Sequence, residues 1–505
     1  MKELPVTLYT SNQTRMLDKI AIEQAGLPGF TLMMRAGRSV FSEIQRHWPE
    51  CKRLTVLCGS GNNGGDGFVV AALAQMKGFE VQARYVGDES FAERLQGEAK
   101  EAWLWATGEG VQFQAFDINE TIIGDVICDA LLGTGLAGEV RTEYQQVINK
   151  VNRLNRKVIA VDIPSGLCAD TGSVLGTAVK ADLTVTFIGM KQGLLMNHAP
   201  DYVGEIVFDG LRIPESVYEE VSVSAFRLGA DDVLEQLPPR KKASHKGLFG
   251  HVLVIGGDEG FGGAAIMAAE AALIAGAGKV SLATRACHIS AALTRAPEVM
   301  VRSVESTQAL LPLLKQADVV VFGPGLGLNA WADQMLQGVM QATVPVVVDA
   351  DGLNILLLKN QFHSIAKTNW VITPHPGEAA KLLSMSVSQI QQDRMESVRS
   401  LQEAIGGTAV LKGAGTLITD GDVVHLCSAG NPGMATGGMG DVLSGIIGAL
   451  MGQGLAPVDA ARIGVFLHST AADLCAERHG ERGLKATDLF RDIRSLLNGK
   501  TCTHD

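Results

Sequence analysis

One pattern recurs along this chain and constrains its fold more than any other: a short β-branched run, a glycine turn, and then a segment with helical periodicity. Such runs, apolar on both faces and separated by helix-length segments, are typical of parallel sheets covered by helices on both sides. The sequence therefore predicts an α/β fold with two doubly wound units in series. The predicted strands lie at residues 53–58, 125–128, 158–161, 251–255, 318–322, 344–348, 370–372 and 409–411.

The pattern is interrupted between residues 221 and 250. Within that interval, residues 234–242 read Leu-Glu-Gln-Leu-Pro-Pro-Arg-Lys-Lys, and charge combined with proline marks a linker. We therefore expect two domains, residues 1–226 and residues 227–505. No residue-level repeat relates them, which favours a fusion of unlike domains. The linker offers no evident coupling element, so we predict that the two domains work independently.

Composition and charge exclude several classes of function. The 505 residues include 43 Lys+Arg and 54 Asp+Glu, and the net charge of −11 disfavours binding to nucleic acids or membrane surfaces. Residues 1–10 lack the features of a signal peptide, and no apolar run is long enough to cross a membrane. The eight cysteines form no Cys-x-x-Cys pair, so we expect reduced core thiols in a cytoplasmic protein.

The first candidate site consists of loops that follow three predicted strands. Residues 59–67 read Gly-Ser-Gly-Asn-Asn-Gly-Gly-Asp-Gly and precede a helical pattern from Phe68, while Asp129 and Asp162 end the next two strands. Open α/β sheets bind ligands at the carboxyl ends of their strands, and amide and carboxylate oxygens suit a hard cation or a polar ligand. The two aspartates also fit helix N-caps, and the asparagines fit turns. Three such loops together favour a site.

The same glycines allow a second interpretation. Gly59, Gly61 and Gly64 match the Gly-x-Gly-x-x-Gly of dinucleotide-binding oxidoreductases. That fold also needs an acidic residue at the end of the second strand, about 20 residues further on. Asp88 follows Gly87 and comes late for this role. An NAD(P)-dependent oxidoreductase therefore stays a second hypothesis.

The second candidate site centres on residues 431–441, Asn-Pro-Gly-Met-Ala-Thr-Gly-Gly-Met-Gly-Asp, which precede an apolar helix predicted at 442–451. Backbone N–H groups at a helix N-terminus form an anion hole for a transferring phosphoryl group. Asp441, at the helix start, is placed to take a proton from an attacking hydroxyl. The N–H groups of the predicted anion hole belong to Gly438, Met439 and Gly440.

Two neighbouring motifs bear on this interpretation. Asp441 also fits a simple N-cap, but Lys-Gly-Ala-Gly-Thr at residues 412–416 supplies a second phosphate-compatible loop one strand earlier. No Gly-x-x-x-x-Gly-Lys-Ser/Thr motif is present, so the phosphate grip is not a P-loop. His375 and Glu378 follow the strand predicted at 370–372, where His375 fits either a ligand contact or a satisfied turn histidine.

The N-terminal half, residues 8–221, resembles the NAD(P)H-hydrate epimerase domain. The resemblance rests on Asn-Asn-Gly-Gly-Asp at residues 62–66, on Asp129, and on Val-Asp-Ile-Pro-Ser at residues 161–165. It implies a potassium ion held by Asn63, Asp129 and Ser165, and epimerisation needs a proton shuttle, for which Asp162 is the candidate. The implied contacts to the hydrated nucleotide are Asn62, Asn63, Gly64, Gly65, Asp66, Gly133, Thr134, Gly135, Leu136, Ala137, Gly138, Glu139 and Asp162.

The C-terminal half, residues 234–497, resembles the ribokinase superfamily and, within it, the ADP- or ATP-dependent NAD(P)H-hydrate dehydratases. Gly-Gly-Met-Gly-Asp at 437–441 matches the glycine-rich anion hole and catalytic aspartate of that superfamily. Sugar kinases carry Asn-x-x-Glu for magnesium where this chain has His375 and Glu378, and the histidine argues against a plain kinase. The implied contacts are Lys412, Gly413, Ala414, Gly415, Thr416, Gly438, Met439 and Gly440 for the adenine nucleotide, and Ala264, Gly325, His375 and Asp441 for the hydrate.

Together the resemblances imply a bifunctional NAD(P)H-hydrate repair enzyme. A Rossmann-like three-layer sandwich would epimerise the R and S hydrates of NADH and NADPH, known as NADHX and NADPHX. A ribokinase-like domain would dehydrate the S hydrate with ADP, giving AMP and phosphate, or with ATP. The expected cofactors are K⁺ in the first domain and Mg²⁺ with ADP or ATP in the second, and we expect a cytoplasmic homo-oligomer. The alternative is a small-molecule kinase fused to a non-catalytic nucleotide-binding module.

Overall fold

The computed structural model describes residues 4–230, 233, 235–237, 239–362 and 367–499. The chain divides into two compact units, Met1–Phe226 and Arg227–Asp505. Leu234 and Pro238 of the predicted linker and the predicted thiol Cys502 lie outside the described residues. Within those described ranges, no helix combines the length and apolar character that a membrane span requires.

The first unit contains a seven-stranded sheet in which every pair of neighbouring strands is parallel. Its strands are β2 (Arg53–Cys58), β3 (Glu80–Tyr85), β4 (Phe113–Ala115), β5 (Val126–Ala130), β6 (Lys157–Val161), β7 (Leu183–Phe187) and β9 (Glu205–Asp209). They follow the order β4-β3-β2-β5-β6-β7-β9, so the strand order reverses between β2 and β5. Short strands β1 (Thr7–Tyr9), β8 (Met190–Lys191) and β10 (Ala225–Arg227) pair separately.

Helices cover both faces of this sheet. In β2, Val56 and Cys58 face one apolar core, while the intervening Leu57 faces a second core on the other side. This alternation is what a strand buried on both faces produces. The described helices are α1 (Ser11–Glu23), α2 (Gly29–His47), α3 (Asn62–Met76), α4 (Phe91–Arg94), α5 (Gly97–Gly108), α6 (Thr142–Arg153) and α7 (Glu215–Glu219).

The second unit contains strands β11 (His251–Ile255), β12 (Lys279–Thr284), β13 (Met300–Ser303), β14 (Val319–Phe322), β15 (Val346–Val348), β16 (Trp370–Ile372), β17 (Thr408–Leu411), β18 (Thr416–Thr419) and β19 (Val424–Cys427). They follow the order β13-β12-β11-β14-β15-β16-β17-β18-β19. The seven strands from β13 to β17 are parallel, so their carboxyl ends lie along one edge. The hairpin of β18 and β19 is antiparallel.

The described helices of the second unit supply its apolar cover. Small and branched side chains of two long helices, α8 and α16, pack together and against β11 and β14, whose residues are buried. The helices are α8 (Gly262–Ile274), α9 (Ile289–Arg295), α10 (Thr307–Leu314), α11 (Ala330–Val339), α12 (Asp351–Leu358), α13 (Pro376–Leu382), α14 (Val387–Gln392), α15 (Arg394–Ile405), α16 (Met439–Gly452), α17 (Pro457–His479) and α18 (Phe490–Leu497).

The doubly wound α/β prediction is confirmed, and three details differ from it. The sequence did not indicate the antiparallel hairpin of β18 and β19, since each is a short apolar strand that periodicity alone does not orient. Helix α3 begins at Asn62, six residues before the expected Phe68. The later start was expected because glycines lower helix propensity, but packing holds these glycines in the helix. Cys287 is exposed, so it is not a core thiol.

Candidate active sites

The first candidate site is a cavity of about 1010 Å³ in the first unit. It lies where the strand order reverses between β2 and β5, which is where doubly wound sheets bind ligands. The predicted residues that line it are Asn62, Asn63, Asp66, Gly133, Thr134, Gly135, Leu136, Ala137, Glu139 and Asp162. Gly64, Gly65, Gly138, Asp129 and Ser165 are not part of its lining.

The conformation of the glycine-rich turn after β2 is fixed by close contacts between backbone atoms. A Cβ on Gly59 would lie 1.9 Å from the Leu131 carbonyl oxygen, and one on Gly64 would lie 1.8 Å from the Gly59 carbonyl oxygen. Neither position accepts a side chain, because both distances are far below van der Waals contact. The turn therefore brings the start of α3 directly against the loop that follows β5.

Asp129, Ser165 and Asn63 belong to one polar cluster, in which Asp129 and Ser165 are buried and Asn63 lines the cavity. The Asp129 carboxylate accepts hydrogen bonds from the Ser165 backbone N–H at 2.8 Å and from the Ser165 hydroxyl at 2.6 Å. The Ser165 hydroxyl oxygen accepts from the Leu132 N–H at 2.8 Å, and the next residue, Gly133, is packed against Asn63. Burial raises the pKa of Asp129 to about 6, although its hydrogen bonds to Ser165 favour the ionised form.

The structure gives an independent reason to place a cation in this cluster. Both polar atoms of the Asn63 side chain are buried, and among the described residues they have no hydrogen-bond partner. A buried amide without a partner is costly and calls for a ligand. A carboxylate, a hydroxyl and an amide oxygen form an oxygen donor set that suits a hard cation, so the residues present fit potassium.

Asp162 occupies a strained turn after β6. Its φ is +65°, a left-handed conformation that is uncommon for a residue other than glycine and that often marks functional sites. Oδ1 of Asp162 accepts hydrogen bonds from the Thr186 hydroxyl and the Phe187 N–H, both at 3.2 Å, and from the Lys191 ammonium. No hydrogen bond to Oδ2 is found among the described residues, so this oxygen remains available to a ligand.

Lys191, which the sequence analysis missed, holds that carboxylate. Its side chain is 1% exposed, and its three donors reach Asp162, the Thr186 hydroxyl at 3.1 Å and the Phe187 carbonyl at 2.9 Å. A buried ammonium needs such complete pairing. The available signal was a lysine within residues 187–195, where the only other polar side chain is Gln192.

Two more carboxyl groups, Asp18 on α1 and Asp66 on α3, line the same cavity. Burial raises the pKa of Asp18 to about 6, and the negative charge of Asp162 adds to the shift. Burial also raises the pKa of Asp66 well above its usual range. The first site therefore combines a lysine-paired carboxylate with two carboxyl groups that hold protons more tightly than usual.

The second candidate site lies at the carboxyl edge of the parallel strands in the second unit. Helix α16 begins at Met439 with Gly438 as its N-cap, at φ +94°, and no side chain caps it within the described residues. The N–H groups of its first turn are thus free of a side-chain partner, as an anion hole requires. Asp441 is the third residue of the helix, so the simple N-cap interpretation is wrong.

A buried ion pair lies beside Asp441. Lys412 Nζ is 2.8 Å from Asp349 Oδ1, and Asp349 is 1% exposed. A Cβ on Gly440 would lie 3.0 Å from Lys412 Nζ and 3.1 Å from Asp349 Oδ2, so the pair lies directly against the start of α16. Burial raises the pKa of Asp441 to about 7, and Asp349 raises it further while Lys412 opposes the shift. No individual role was predicted for Asp349, although it directly follows β15 in one of the strand-end loops.

The loop at residues 412–416 is fixed from behind by Arg394, another buried residue that the sequence did not indicate. Its Nη2 donates to the carbonyls of Leu411, Lys412 and Gly415 at 3.2–3.3 Å. Gly413 has φ +141° and Gly415 has φ +67°, conformations that glycine permits. The exposed residues Gly413 and Ala414 therefore present their backbone to solvent on a rigid support.

His375 and Glu378 form a reciprocal cap on α13. His375 Nδ1 accepts from the Gly377 N–H at 3.0 Å, while Glu378 Oε2 accepts from the His375 N–H at 2.9 Å. Nδ1 is therefore an acceptor, and a neutral ring carries its proton on Nε2. The histidine is satisfied as a turn residue, and its Nε2 lies 3.5 Å from Glu378 Oε1 although the side chain is 56% exposed.

Ala264 and Gly325 come together on the same edge. Gly325 has φ +59°, and a Cβ there would lie 3.2 Å from Ala264 Cβ. The Gly325 carbonyl accepts from the Asp258 N–H at 2.7 Å, which joins the loops after β11 and β14. Glu378, with one oxygen committed to its cap, is the acidic residue predicted for magnesium. Among the described residues no three His, Cys, Asp or Glu side chains converge as metal ligands, so a magnesium ion here would depend mostly on phosphate and water oxygens.

Comparison with known proteins covers both units. Residues 252–495 match the family model described as NAD(P)H-hydrate dehydratase, and residues 29–193 match the model for the YjeF-related protein N-terminus. The bifunctional NAD(P)H-hydrate repair enzyme Nnr of Coxiella burnetii is 46% identical over 492 residues, covering 97% of this chain and 99% of that protein. The enzyme of the same name from Escherichia coli is 44% identical over 496 residues, with coverage of 98% and 95%.

The chain belongs to the family of bifunctional NAD(P)H-hydrate repair enzymes. Among solved structures, a ribokinase-like superfamily protein from Enterococcus faecalis is 32% identical and has a TM-score of 0.50; the match covers 54% of this chain and 95% of that one. The ribokinase-like fold predicted for the second unit is thus confirmed. Membership of the repair-enzyme family along nearly the whole chain removes the oxidoreductase hypothesis. It also argues against a small-molecule kinase fused to a non-catalytic nucleotide-binding module.

Proposed function

We propose that residues 1–226 interconvert the R and S hydrates of NADH and NADPH, and that residues 227–505 dehydrate the S hydrate to NADH or NADPH. The second reaction consumes ADP, which becomes AMP and phosphate, or ATP. Chemical hydration yields both epimers, so a stereospecific dehydratase alone would leave one unrepaired. Fusion of the two activities in one chain resolves that problem.

Two features of the first site support the epimerase assignment. Asp162 presents a free oxygen to a cavity large enough for a nucleotide, and Lys191 stabilises its negative charge. An ionised carboxylate positioned in this way can accept the proton of the hydroxyl on the hydrated ring carbon. The loop at residues 133–139 and the start of α3 supply backbone and amide groups around it.

The cluster of Asn63, Asp129 and Ser165 would hold the potassium ion. The bound ion would supply positive charge that favours ionised Asp129 and satisfies the buried Asn63 amide. Because Leu132 and Gly133 contact these residues, an ordered cluster also fixes the start of the loop at residues 133–139. We assign the ion a role in shaping the binding loop.

In the second site, Asp441 would take the proton of the ring hydroxyl while that oxygen attacks the terminal phosphoryl group of the nucleotide. The first-turn N–H groups of α16 would stabilise the negative charge on the transferring phosphoryl oxygens. Magnesium would neutralise charge on the nucleotide phosphates. Phosphorylation turns the hydroxyl into a good leaving group, and loss of phosphate with a proton from the neighbouring ring carbon restores the dihydronicotinamide.

The observation that carries this assignment is the position of Asp441 in an uncapped helix turn, beside the Asp349–Lys412 pair. The test uses purified S hydrate with magnesium and ADP, then ATP, and follows the return of dihydronicotinamide absorbance. We expect recovery with the intact protein and none with Asp441→Asn. Asp459→Asn is the matched control, because Asp459 is also the third residue of its helix, α17.

Phosphorus NMR of the same reaction separates the repair enzyme from the kinase alternative. The repair reaction predicts stoichiometric free phosphate together with restored absorbance. A kinase predicts a stable phosphorylated nucleotide and no restored absorbance. Absence of both products with either nucleotide would contradict the proposed function of the second unit.

A further inference from the structure

Asp18 lies outside the residues matched by either family model and lines the cavity of the first site. It lines the same cavity as Asp162 and Lys191, although it comes from α1 while they come from β8 and from the turn after β6. Epimerisation by ring opening requires two proton transfers, one at the hydroxyl oxygen and one at the ring nitrogen. Asp162 accounts for only one of them.

Helix α1 is anchored so that Asp18 has a fixed position. Its N-cap Thr10 and Gln13 form a reciprocal capping box, and the Ser11 N–H and hydroxyl donate to the Asp170 carboxylate at 2.6 and 3.0 Å. Further along the helix, a Cβ on Gly189 would lie 3.1 Å from Thr14 Oγ1 and 3.2 Å from Leu17 Cδ1. Only glycine at that position lets α1 approach the segment that carries Lys191.

Four charged or titratable groups act on Asp18 from the elements around it. Lys191 of β8 favours its ionised form, while Asp162 after β6 and Glu98 of α5 oppose ionisation. Asp66 of α3 is the fourth, and the charge of Asp18 in turn raises the pKa of Asp66. Since all three donors of Lys191 are already committed, none is left to pair directly with Asp18.

We propose that Asp18 is the second proton-transfer residue of the first site and acts as the partner of Asp162. This inference rests on the proposed epimerase function. Asp162 accepts the hydroxyl proton, the carbonyl forms as the carbon–nitrogen bond breaks, and Asp18 gives its proton to the ring nitrogen. After rotation, the nitrogen attacks the other face of the carbonyl, Asp18 regains its proton, and Asp162 returns its proton to oxygen.

Asp18 fits this role better than Asp66. A group that both gives and regains a proton works best when its pKa is near the working pH, and burial brings the pKa of Asp18 to about 6. Burial raises the pKa of Asp66 well above its usual range, which favours the protonated form of that carboxyl group. A lysine-paired carboxylate and a second carboxyl group in one cavity form the arrangement expected of an acid–base pair.

The test measures conversion of purified R hydrate to S hydrate by chromatography, using the full chain without ADP or ATP. Variants Asp18→Asn and Asp18→Glu are compared with the intact protein and with Asp88→Asn, an exposed aspartate outside the cavity. Dehydration of S hydrate by the same preparations reports the second unit. If the intact protein fails to convert the R hydrate, the proposed function itself fails, and not only the role of Asp18.

We expect Asp18→Asn to lower kcat for epimerisation at least about 100-fold with little change in KM, because an amide cannot transfer the proton. Asp18→Glu keeps the carboxyl group and should recover at least tenfold over Asp18→Asn. In the intact protein the rate should fall as pH rises through about 6, where Asp18 loses its proton, and this fall should be absent from the residual rate of Asp18→Asn.

Three results would overturn the inference: an Asp18→Asn rate within threefold of the intact protein, persistence of the fall near pH 6 in that variant, or an Asp18→Glu rate no higher than that of Asp18→Asn. The last result would mean that Asp18 only supports the structure. Asp88→Asn should match the intact protein in all assays.

Discussion

Each unit buries a lysine against an aspartate at the carboxyl edge of its sheet, but the two pairs stand in different relations to the proposed catalytic residue. In the first unit the paired aspartate is Asp162 itself, and its partner Lys191 is 1% exposed. In the second unit Lys412 pairs with Asp349, and Asp441 lies beside the pair without a direct partner among the described residues.

This difference shows how one motif can serve two purposes. Direct pairing places the Lys191 ammonium against the Asp162 carboxylate, which suits a residue that starts its cycle as a base. In the second unit Lys412 pairs with Asp349 and not with Asp441, so the negative charge of Asp349 acts on Asp441. Burial, together with that charge, raises the pKa of Asp441 to about 7. A base with that pKa is strong enough to take a hydroxyl proton and still ionises near neutral pH.

The largest expected effect separates the two sites. Asp162→Asn should lower epimerisation by about 100-fold to 10,000-fold and leave dehydration of pure S hydrate unchanged, and Asp441→Asn should do the reverse, because each removes one proton-transfer group. Separate assays of R-to-S conversion and of S-hydrate dehydration measure this. If either substitution depresses both activities, the two sites are coupled and our prediction of independence is wrong.

Loss of the lysines should have unequal costs. Lys191→Met leaves a carboxylate without its buried partner, which destabilises the first unit by about 3–5 kcal/mol. Lys412→Met leaves Asp349, which is 1% exposed, without its partner, whereas the Asp162 left by Lys191→Met is 16% exposed and better screened by solvent, so the cost should be larger in the second unit. Hydrogen-exchange mass spectrometry, which resolves the two units, measures both. Equal losses of protection would contradict the inferred difference in burial.

Potassium should stabilise the first unit alone. At 10 to 100 times its dissociation constant, the ion adds about 1.4–2.7 kcal/mol to the stability of the folded unit. The pKa of Asp129 is raised to about 6, so the carboxylate available to a cation increases as pH rises through 6, and the gain should be larger at pH 8 than at pH 5.

Hydrogen exchange in potassium chloride and in choline chloride tests this. The variant Asp129→Asn should remove the difference between the two salts. Asp125→Asn should keep it, because Asp125 directly precedes β5 and pairs with Arg53. An equal gain for both units in potassium would indicate a general salt effect instead of a site.

The smallest effect concerns pH. Dehydration should rise with pH through about 7, as Asp441 loses its proton. Asp349→Asn removes a negative charge that raises the pKa of Asp441, so this rise should move to lower pH by about one unit. The pH profile of kcat/KM for S hydrate measures it. A profile that stays in place, or moves to higher pH, would show that Asp349 does not tune Asp441.

The sequence was sufficient for most of the fold. Strands at residues 53–58, 251–255 and 370–372 have the bounds expected from their apolar runs, because a parallel strand buried on both faces has a strong signature. The site loops could be found for a related reason: in such sheets the residues that end strands meet at one edge.

The enclosure of individual charged side chains could not be predicted from the sequence. Asp18 and Arg394 look like ordinary surface residues in the printed chain, and only the structure shows that Asp18 lines a cavity and that Arg394 is buried. Periodicity reports which side chains are apolar, whereas the enclosure of a charged one depends on contacts from distant segments. Lys191, for example, is enclosed with the Asp162 turn, 29 residues earlier.

The most direct test of the central claim, two separate active sites in one repair enzyme, starts from a mixture of both NADH hydrates with magnesium and ADP or ATP. We predict that the intact protein restores the full dihydronicotinamide absorbance. Asp162→Asn should stop at the S fraction apart from slow spontaneous epimerisation, and Asp441→Asn should restore nothing. Full and equally fast recovery by Asp162→Asn would contradict the account, because the first unit would then contribute no epimerisation.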